Sequence, residues 1–175
     1  MRAGNVRNSI VTGVSGFNAL YQRGDFGAVR VLGGTFENCT VASNAAFSCA
    51  GICCAEGGTV RNCVILGNTT DAEDKSLAVF SACTTLQGPS LGEFDHCVGE
   101  VKINESCHVS TVAETFRNFT TGDYRLKPDS SAIDGGVVSD WMLGATDFCG
   151  RPRRIGPAPD CGAFECNSGL MVFIR

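Results

Sequence analysis

Apolar and polar positions alternate along most of this chain, and they do so in blocks that recur. The clearest block is Gly58–Asn68, Gly-Thr-Val-Arg-Asn-Cys-Val-Ile-Leu-Gly-Asn. An earlier copy is Gly34–Asn44, Gly-Thr-Phe-Glu-Asn-Cys-Thr-Val-Ala-Ser-Asn. Another begins at Gly4 and a degenerate one at Gly92. Period-two alternation, frequent Val, Ile, Thr and Phe, and glycine pairs at Gly33-Gly34 and Gly57-Gly58 predict short strands separated by turns. No stretch carries a convincing helical period.

Asn38 and Asn62 are 24 residues apart, Asn8 and Asn38 are 30, and Asn62 and His96 are 34. Repeats at such spacings indicate a solenoid, propeller or array. The shortest spacing is the coil perimeter, and the longer ones add surface insertions. Stacking the copies generates columns. Val6, Phe36, Val60 and Phe94 are apolar; Ser9, Cys39, Cys63 and Cys97 are small; Val11, Val41 and Ile65 are β-branched. Alternation turns the second and third columns toward one interior. Asn8, Asn38, Asn62 and His96 form a column suited to a left-handed bend, and stacked amides can bond to one another.

Arg7, Glu37, Arg61 and Asp95 alternate in sign. With strands stacked about 4.8 Å apart, this predicts an exposed register device. Gly27-Ala-Val-Arg-Val aligns with Gly51-Ile-Cys-Cys-Ala at the same 24-residue offset. A coil therefore holds several strands, each pairing with its equivalent one coil later. The expected fold is all-β: a parallel β-helix of about four to five coils. No Trp-Asp signature of a four-stranded propeller blade is present.

Residues 1–120 are assigned to coils, 121–166 to an irregular C-terminal cap over the last coil, and 167–175 to a terminal strand or tail. Leu77–Cys83 reads as a strand, Gln87–Leu91 as a turn, and Val98–Val109 as the last coil. Within the cap, Asp134, Asp160 and Glu165 are expected to meet Arg151 or Arg153. The apolar tail Gly169–Arg175 is expected to dock as a strand, because a free edge would invite pairing.

With 175 residues, 43% of them apolar, and a net charge of −4, the chain is globular rather than disordered. The absence of a Lys/Arg cluster argues against nucleic acid as a partner. No apolar run is long enough to span a bilayer, and no secretory leader is read at Met1. N-terminal coils of a longer chain, or a partner subunit, are expected to cover the first coil. Of the eleven cysteines, Cys39, Cys63 and Cys97 read as small buried residues. Cys49, Cys53 and Cys54 lack zinc-site spacing. Cys149, Cys161 and Cys166 are the better disulfide candidates.

Candidate chemistry is sparse. Asp71, Glu73 and Asp74 could offer oxygen ligands to Ca²⁺, though without EF-hand spacing, and the loop reads as solvated. Tyr21, Arg23 and Asp25 sit on an insertion that could meet sugar but reads as a loop covering the flank. His96 beside Asp95 could act as a general base, yet it reads as a replaced Asn. Asn38, Asn68, Asn104 and Asn118 match the glycosylation sequon, as expected by chance in so Asn-rich a repeat. No catalytic, cofactor-binding or metal-binding residue is assigned.

The Gly-Thr-Val-Arg-Asn-Cys-Val-Ile-Leu-Gly-Asn repeat resembles those of bacterial right-handed parallel β-helix proteins of the pectin-lyase-like superfamily. Gly122-Asp-Tyr-Arg-Leu, Ala132-Ile-Asp-Gly-Gly, Gly150-Arg-Pro-Arg and Asp160-Cys-Gly-Ala-Phe-Glu resemble the choice-of-anchor Q region. The chain departs from that pattern at Ser131, where a Pro is usual, and no sorting signal is read after Glu165. The resemblance implies a secreted or cell-surface protein. The expected role is a non-catalytic stalk, adhesin or glycan-binding scaffold with a polysaccharide or surface glycan as partner. The alternative is the C-terminal part of a polysaccharide lyase or glycoside hydrolase.

Overall fold

The computed structural model describes residues 4–15, 28–46, 49–55, 57–70, 80–85, 88–90 and 92–166. The repeat copies stack as parallel strands. One sheet runs Asn5–Arg7, Gly34–Glu37, Gly58–Arg61, Glu93–Asp95; a second runs Ile10–Thr12, Thr40–Ala42, Val64–Leu66, Val98–Gly99, His108–Val109. A third joins Val29–Val31, Ile52–Cys54 and Phe80–Thr85. Each strand pairs with its equivalent one coil on, so the chain forms a parallel β-helix of about four coils. Register follows the columns: Val6 faces Phe36, Phe36 faces Val60, and Val60 faces Phe94.

The interior is a line of buried side chains: Phe36, Val60, Phe94, Cys39, Cys63, Cys97, Val41 and Ile65. The small column has a chemical role that size alone does not convey. Ser9 donates to the Arg7 carbonyl (2.8 Å), Cys39 to that of Glu37 (3.2 Å), Cys63 to that of Arg61 (3.1 Å) and Cys97 to that of Asp95 (3.4 Å). Each bond spans one corner, whose central residue has positive φ: Asn8 48°, Asn38 49°, Asn62 51°, His96 49°. Each corner thus pairs a residue that tolerates the left-handed region with a short inward donor. Burial pushes the Cys63 thiol well above its ordinary pKa, which keeps it a donor.

Four expectations need correction. Val29, Arg30 and Val31 face Ile52, Cys53 and Cys54, an offset of 23 rather than 24. The corner after Ile52–Cys54 holds one residue more than the corner after Val29–Val31, and Gly34 and Gly58 return to the 24-residue register. A one-residue slip exchanges the faces of a strand, so Val31 and Cys54 both enter the core. Second, Gly88–Ser90 is a strand antiparallel to Phe80–Thr85, not a turn; the proline sits on the outermost strand, where a missing donor is tolerated.

Third, Cys149, Cys161 and Cys166 are free thiols. Cys161 and Cys166 are buried and bond to the carbonyls of His96 and Leu126, while Cys149 is exposed. Cys53 is disulfide-bonded. Fourth, the C-terminal region is not confined to the last coil, where it meets Val98 and His96. It runs along the flank of the β-helix across several coils.

That flank is set by the second sheet. Val64, Ile65 and Leu66 are all buried, so this sheet packs on both faces. Ile65 points into the helix, whereas Ala42, Val64, Leu66 and Val98 point out against Phe116, Tyr124, Leu126, Ala132, Cys161 and Phe164. Phe116–Asn118 pairs antiparallel with Asp123–Leu126, so this hairpin crosses the boundary expected at residue 120. Its Tyr124 hydroxyl reaches Thr12 and Ser43 (2.8 and 3.0 Å). A single helical turn, Val112–Thr115, precedes it, closed by a capping box between Thr111 and Glu114.

The Asn column is the seam on which this flank docks. Asn8 donates to the Thr146 carbonyl, Asn38 to the Asp160 carbonyl, and Asn62 to the Val137 carbonyl while accepting from the Val137 amide. One interior rung of the amide ladder also forms, Asn62 to Asn38 at 3.3 Å. Gly162, at φ 91°, brings its amide to the Asn62 carbonyl (2.8 Å). A Cβ there would meet Thr40 Oγ1 at 2.9 Å and Val64 Cγ2 at 3.0 Å, so both backbone and space require glycine. Asn62→Ala is expected to lower stability by about 2–3 kcal/mol, from backbone strain plus the Val137 groups left unpaired. Asn62→Gly should recover about 1 kcal/mol of that. Urea denaturation midpoints of the three proteins check the order.

Asn38 and Asn68 are buried, so these two sequons are structural residues of the repeat. Asn68 and Asn44 belong to a second amide ladder at the next corner, where Asn44 donates to Asn68 Oδ1 (2.9 Å).

Candidate ligand-binding face

The outward face of the first sheet carries two polar rows, because Val6, Phe36, Val60 and Phe94 take the inward positions. One row is Asn5, Thr35, Thr59, Glu93; the other is Arg7, Glu37, Arg61, Asp95. Alternating signs in the second row place unlike charges on adjacent strands. Arg61 Nε donates to Asp95 Oδ2 at 3.0 Å, and Arg7 Nε lies 3.6 Å from Glu37 Oε2. The register device is present, but it is not uniformly exposed. Glu37 is only 2% accessible because residues 139–141 fold over it. Ser139 Oγ donates to Glu37 Oε1, and Trp141 Nε1 donates to Oε2 at 2.6 Å.

Trp141 is partly exposed, and the Arg7 guanidinium carbon lies 4.7 Å from its ring centre. Between this segment and the sheet is a cavity of about 530 Å³ lined by Arg7, Thr35, Glu37, Arg61, Asp140 and Trp141. A second cavity of about 750 Å³ shares Val138, Ser139 and Asp140 and extends past Met142, Leu143 and Pro152. Leu143 on its rim is 95% exposed.

At the far end of the row, His96 Nδ1 and Asp95 Oδ1 are 2.6 Å apart. Burial pushes the Asp95 carboxyl up, but bonds from His96 and Arg61 outweigh it and hold the group below its ordinary value. Both Asp95 oxygens are therefore engaged as acceptors of an ionised carboxylate. Both Glu37 oxygens are engaged too. Arg61 stands between the two carboxylates in the row. His96 keeps its corner position, and its amide donates to Ser106 Oγ (3.3 Å).

A buried ionic centre lies where the flank meets the first coils. Arg153, fully buried, donates to Asn8 Oδ1 (3.2 Å), the Gly162 carbonyl (3.0 Å), the Asp160 carbonyl (2.9 Å) and Glu165 Oε1. The expected meeting of Glu165 with Arg153 is found. Arg151 instead donates to the Glu165 carbonyl, and Asp134 accepts from the Ala158 amide. Asp147 ties the same turn together by accepting from the amides of Cys149, Arg151 and Glu165.

The Ca²⁺ ligands considered at Asp71, Glu73 and Asp74, the loop residues Tyr21, Arg23 and Asp25, and the terminal strand at 167–175 lie outside the described residues. Among the described residues, no group of three or more His, Cys, Asp or Glu side chains is placed to hold a metal ion. Sequence reasoning missed Ser139, Asp140 and Trp141, which carry no repeat signal; the single Trp of the chain was the available clue. Fold and face together define a parallel β-helix with a polar outer sheet bordered by one aromatic segment. No protein-family model, no curated protein and no solved structure matches the chain.

Proposed function

We propose that this chain is a non-catalytic part of a secreted or cell-surface β-helix protein, serving as a scaffold that presents its first sheet to a glycan. The observation that carries this reading is the closure of the charged row. Glu37 and Asp95 have both oxygens engaged, so the charged row itself holds no free carboxylate pair. The ladder that runs unbroken through four strands of the first sheet suits a stiff stalk. The disulfide at Cys53 supports an oxidising compartment. The likeness to bacterial surface β-helix proteins noted from the repeat supports the same setting.

The test is incubation with uronic-acid polymers and Ca²⁺, followed by absorbance near 235 nm, and with neutral polysaccharides followed by new reducing ends. Neither signal is expected above a heat-denatured control. Sustained product formation would favour the alternative, the C-terminal part of a polysaccharide lyase or glycoside hydrolase.

A further inference from the structure

We infer that the cavity between Trp141 and the outer face of the first sheet binds an uncharged saccharide, with Trp141, Asp140, Thr35 and the two guanidiniums of Arg7 and Arg61 as its contacts. This rests on the glycan-scaffold reading and adds the place and the ligand class.

The groups left over after internal bonding define the chemistry. Glu37 is spent on Ser139 and Trp141, and Asp95 on Arg61 and His96. Arg7 Nε is buried 3.6 Å from Glu37 Oε2, while the Arg7 side chain as a whole stays 34% exposed and lines the cavity. Arg61 uses its Nε on Asp95, which leaves its terminal nitrogens as donors. Asp140 is exposed at the cavity edge and supplies an acceptor; the Thr35 hydroxyl can do either. Adjacent sugar hydroxyls both give and accept, and so match a mixed set of this kind.

Charge selects against acidic polymers. Two guanidiniums face the carboxylates of Glu37 and Asp140, and Asp95 stands behind Arg61. The cavity therefore has no cationic surplus to attract a uronate. The indole adds apolar surface for the CH groups of a sugar ring, at fixed orientation, because its nitrogen is held by a buried carboxylate. The depression, about 530 Å³, is open to solvent, so it meets one face of a sugar rather than enclosing it.

Trp141 is the only tryptophan, so its emission reports this cavity and no other. Titration of the intact protein with cellohexaose, xylohexaose, maltohexaose and hexagalacturonate, each to about 10 mM, tests the assignment. A saturable emission change with at least one neutral oligomer, and a weaker one with hexagalacturonate, is expected. By calorimetry, Asp140→Ala and Thr35→Val should each weaken the neutral oligomer by about ten-fold with unchanged melting temperatures. Trp141→Phe, which keeps an aromatic face, should weaken it less than Trp141→Ala; both variants remove the N–H that Glu37 accepts. No saturable response to any neutral oligomer overturns the inference, as does tighter binding of hexagalacturonate, or variants that bind like the parent. Those outcomes leave the scaffold reading standing, since that reading fails only on product formation in the assays above.

Discussion

Arg153→Ala is expected to lower the stability of the folded chain by about 3–5 kcal/mol, the range for breaking a buried ion pair from one side. The guanidinium is fully buried and donates to Asn8, Gly162, Asp160 and Glu165 at once. It is the one buried cation among the described residues, and it lies beside the buried carboxyls of Asp160 and Glu165. Its removal leaves buried acceptors unmet and a carboxylate without a counter-charge. Because it bridges residues 160–165 to Asn8 in the first coil, its loss should loosen the flank before the coils. Urea unfolding read by Trp141 emission and by far-ultraviolet circular dichroism separates the two: emission should change at lower urea in the variant. Coincident, near-parental midpoints would show that water replaces the guanidinium at little cost. The pair Arg153→Met with Glu165→Leu should regain only the part due to the unpaired charge, since Asn8 Oδ1, the Gly162 and Asp160 carbonyls and the Asp160 amide still lose their partners.

The second large effect is on pH. Desolvation pushes the Glu165 carboxyl from its ordinary 4.5 up to about 7, against the opposing pull of Arg153, with Asp160 adding to the rise. The folded state then binds this proton more tightly than the unfolded chain. Stability from this group is fully present below about pH 4.5 and is lost as pH rises toward 7; above that it is constant. The full shift corresponds to at most about 3 kcal/mol.

Asp160 and Glu100, also raised by burial, act in the same direction from their own ordinary values upward. Asp95 and Asp123 are lowered and act oppositely, contributing stability that is lost only as pH falls below the ordinary aspartate range. Between about pH 5 and pH 8 the raised carboxyls, Glu165 foremost, act together, so they should lower the denaturation midpoint as pH rises. Glu165→Gln should flatten that slope. A midpoint that climbs across the interval would place the Glu165 proton elsewhere.

The repeat is where local sequence and fold agree most closely. Val6, Phe36, Val60 and Phe94 stack in the order their spacing implies, and Asn8, Asn38, Asn62 and His96 all take positive φ. Such a fold is built from nearest-neighbour contacts, so one coil predicts the next. The errors fall where that rule lapses. The third strand's register depends on a corner longer by one residue, and Gly88–Ser90 pairs by hairpin instead of by coil. The uninterrupted Val64-Ile65-Leu66 was a readable sign of a sheet buried on both faces. A one-face alternation rule passes over it.

The cysteines divide the same way. Their columnar placement was legible, but their donation to the carbonyl two residues back needed the corner geometry. Equally, the pairing of Glu165 with Arg153 could be anticipated from residue types, while the contact of Arg153 with Asn8, 145 residues away, could not.

By itself, the sequence determined the coil: its perimeter, which positions turn inward, where the chain bends left-handed, and how unlike charges alternate across strands. Those features follow from side-chain period and short-range backbone preference, which every copy of the repeat restates. Tertiary structure alone decided which outer face is covered and which stays open. It packed Phe116, Tyr124, Leu126, Ala132 and Phe164 along the second sheet, made the Asn column a docking seam, buried Glu37 under Ser139 and Trp141, and left the first sheet beside a polar cavity. Those outcomes rest on contacts between segments about a hundred residues apart, whose energies depend on shape and on unmet hydrogen bonds that no local pattern encodes.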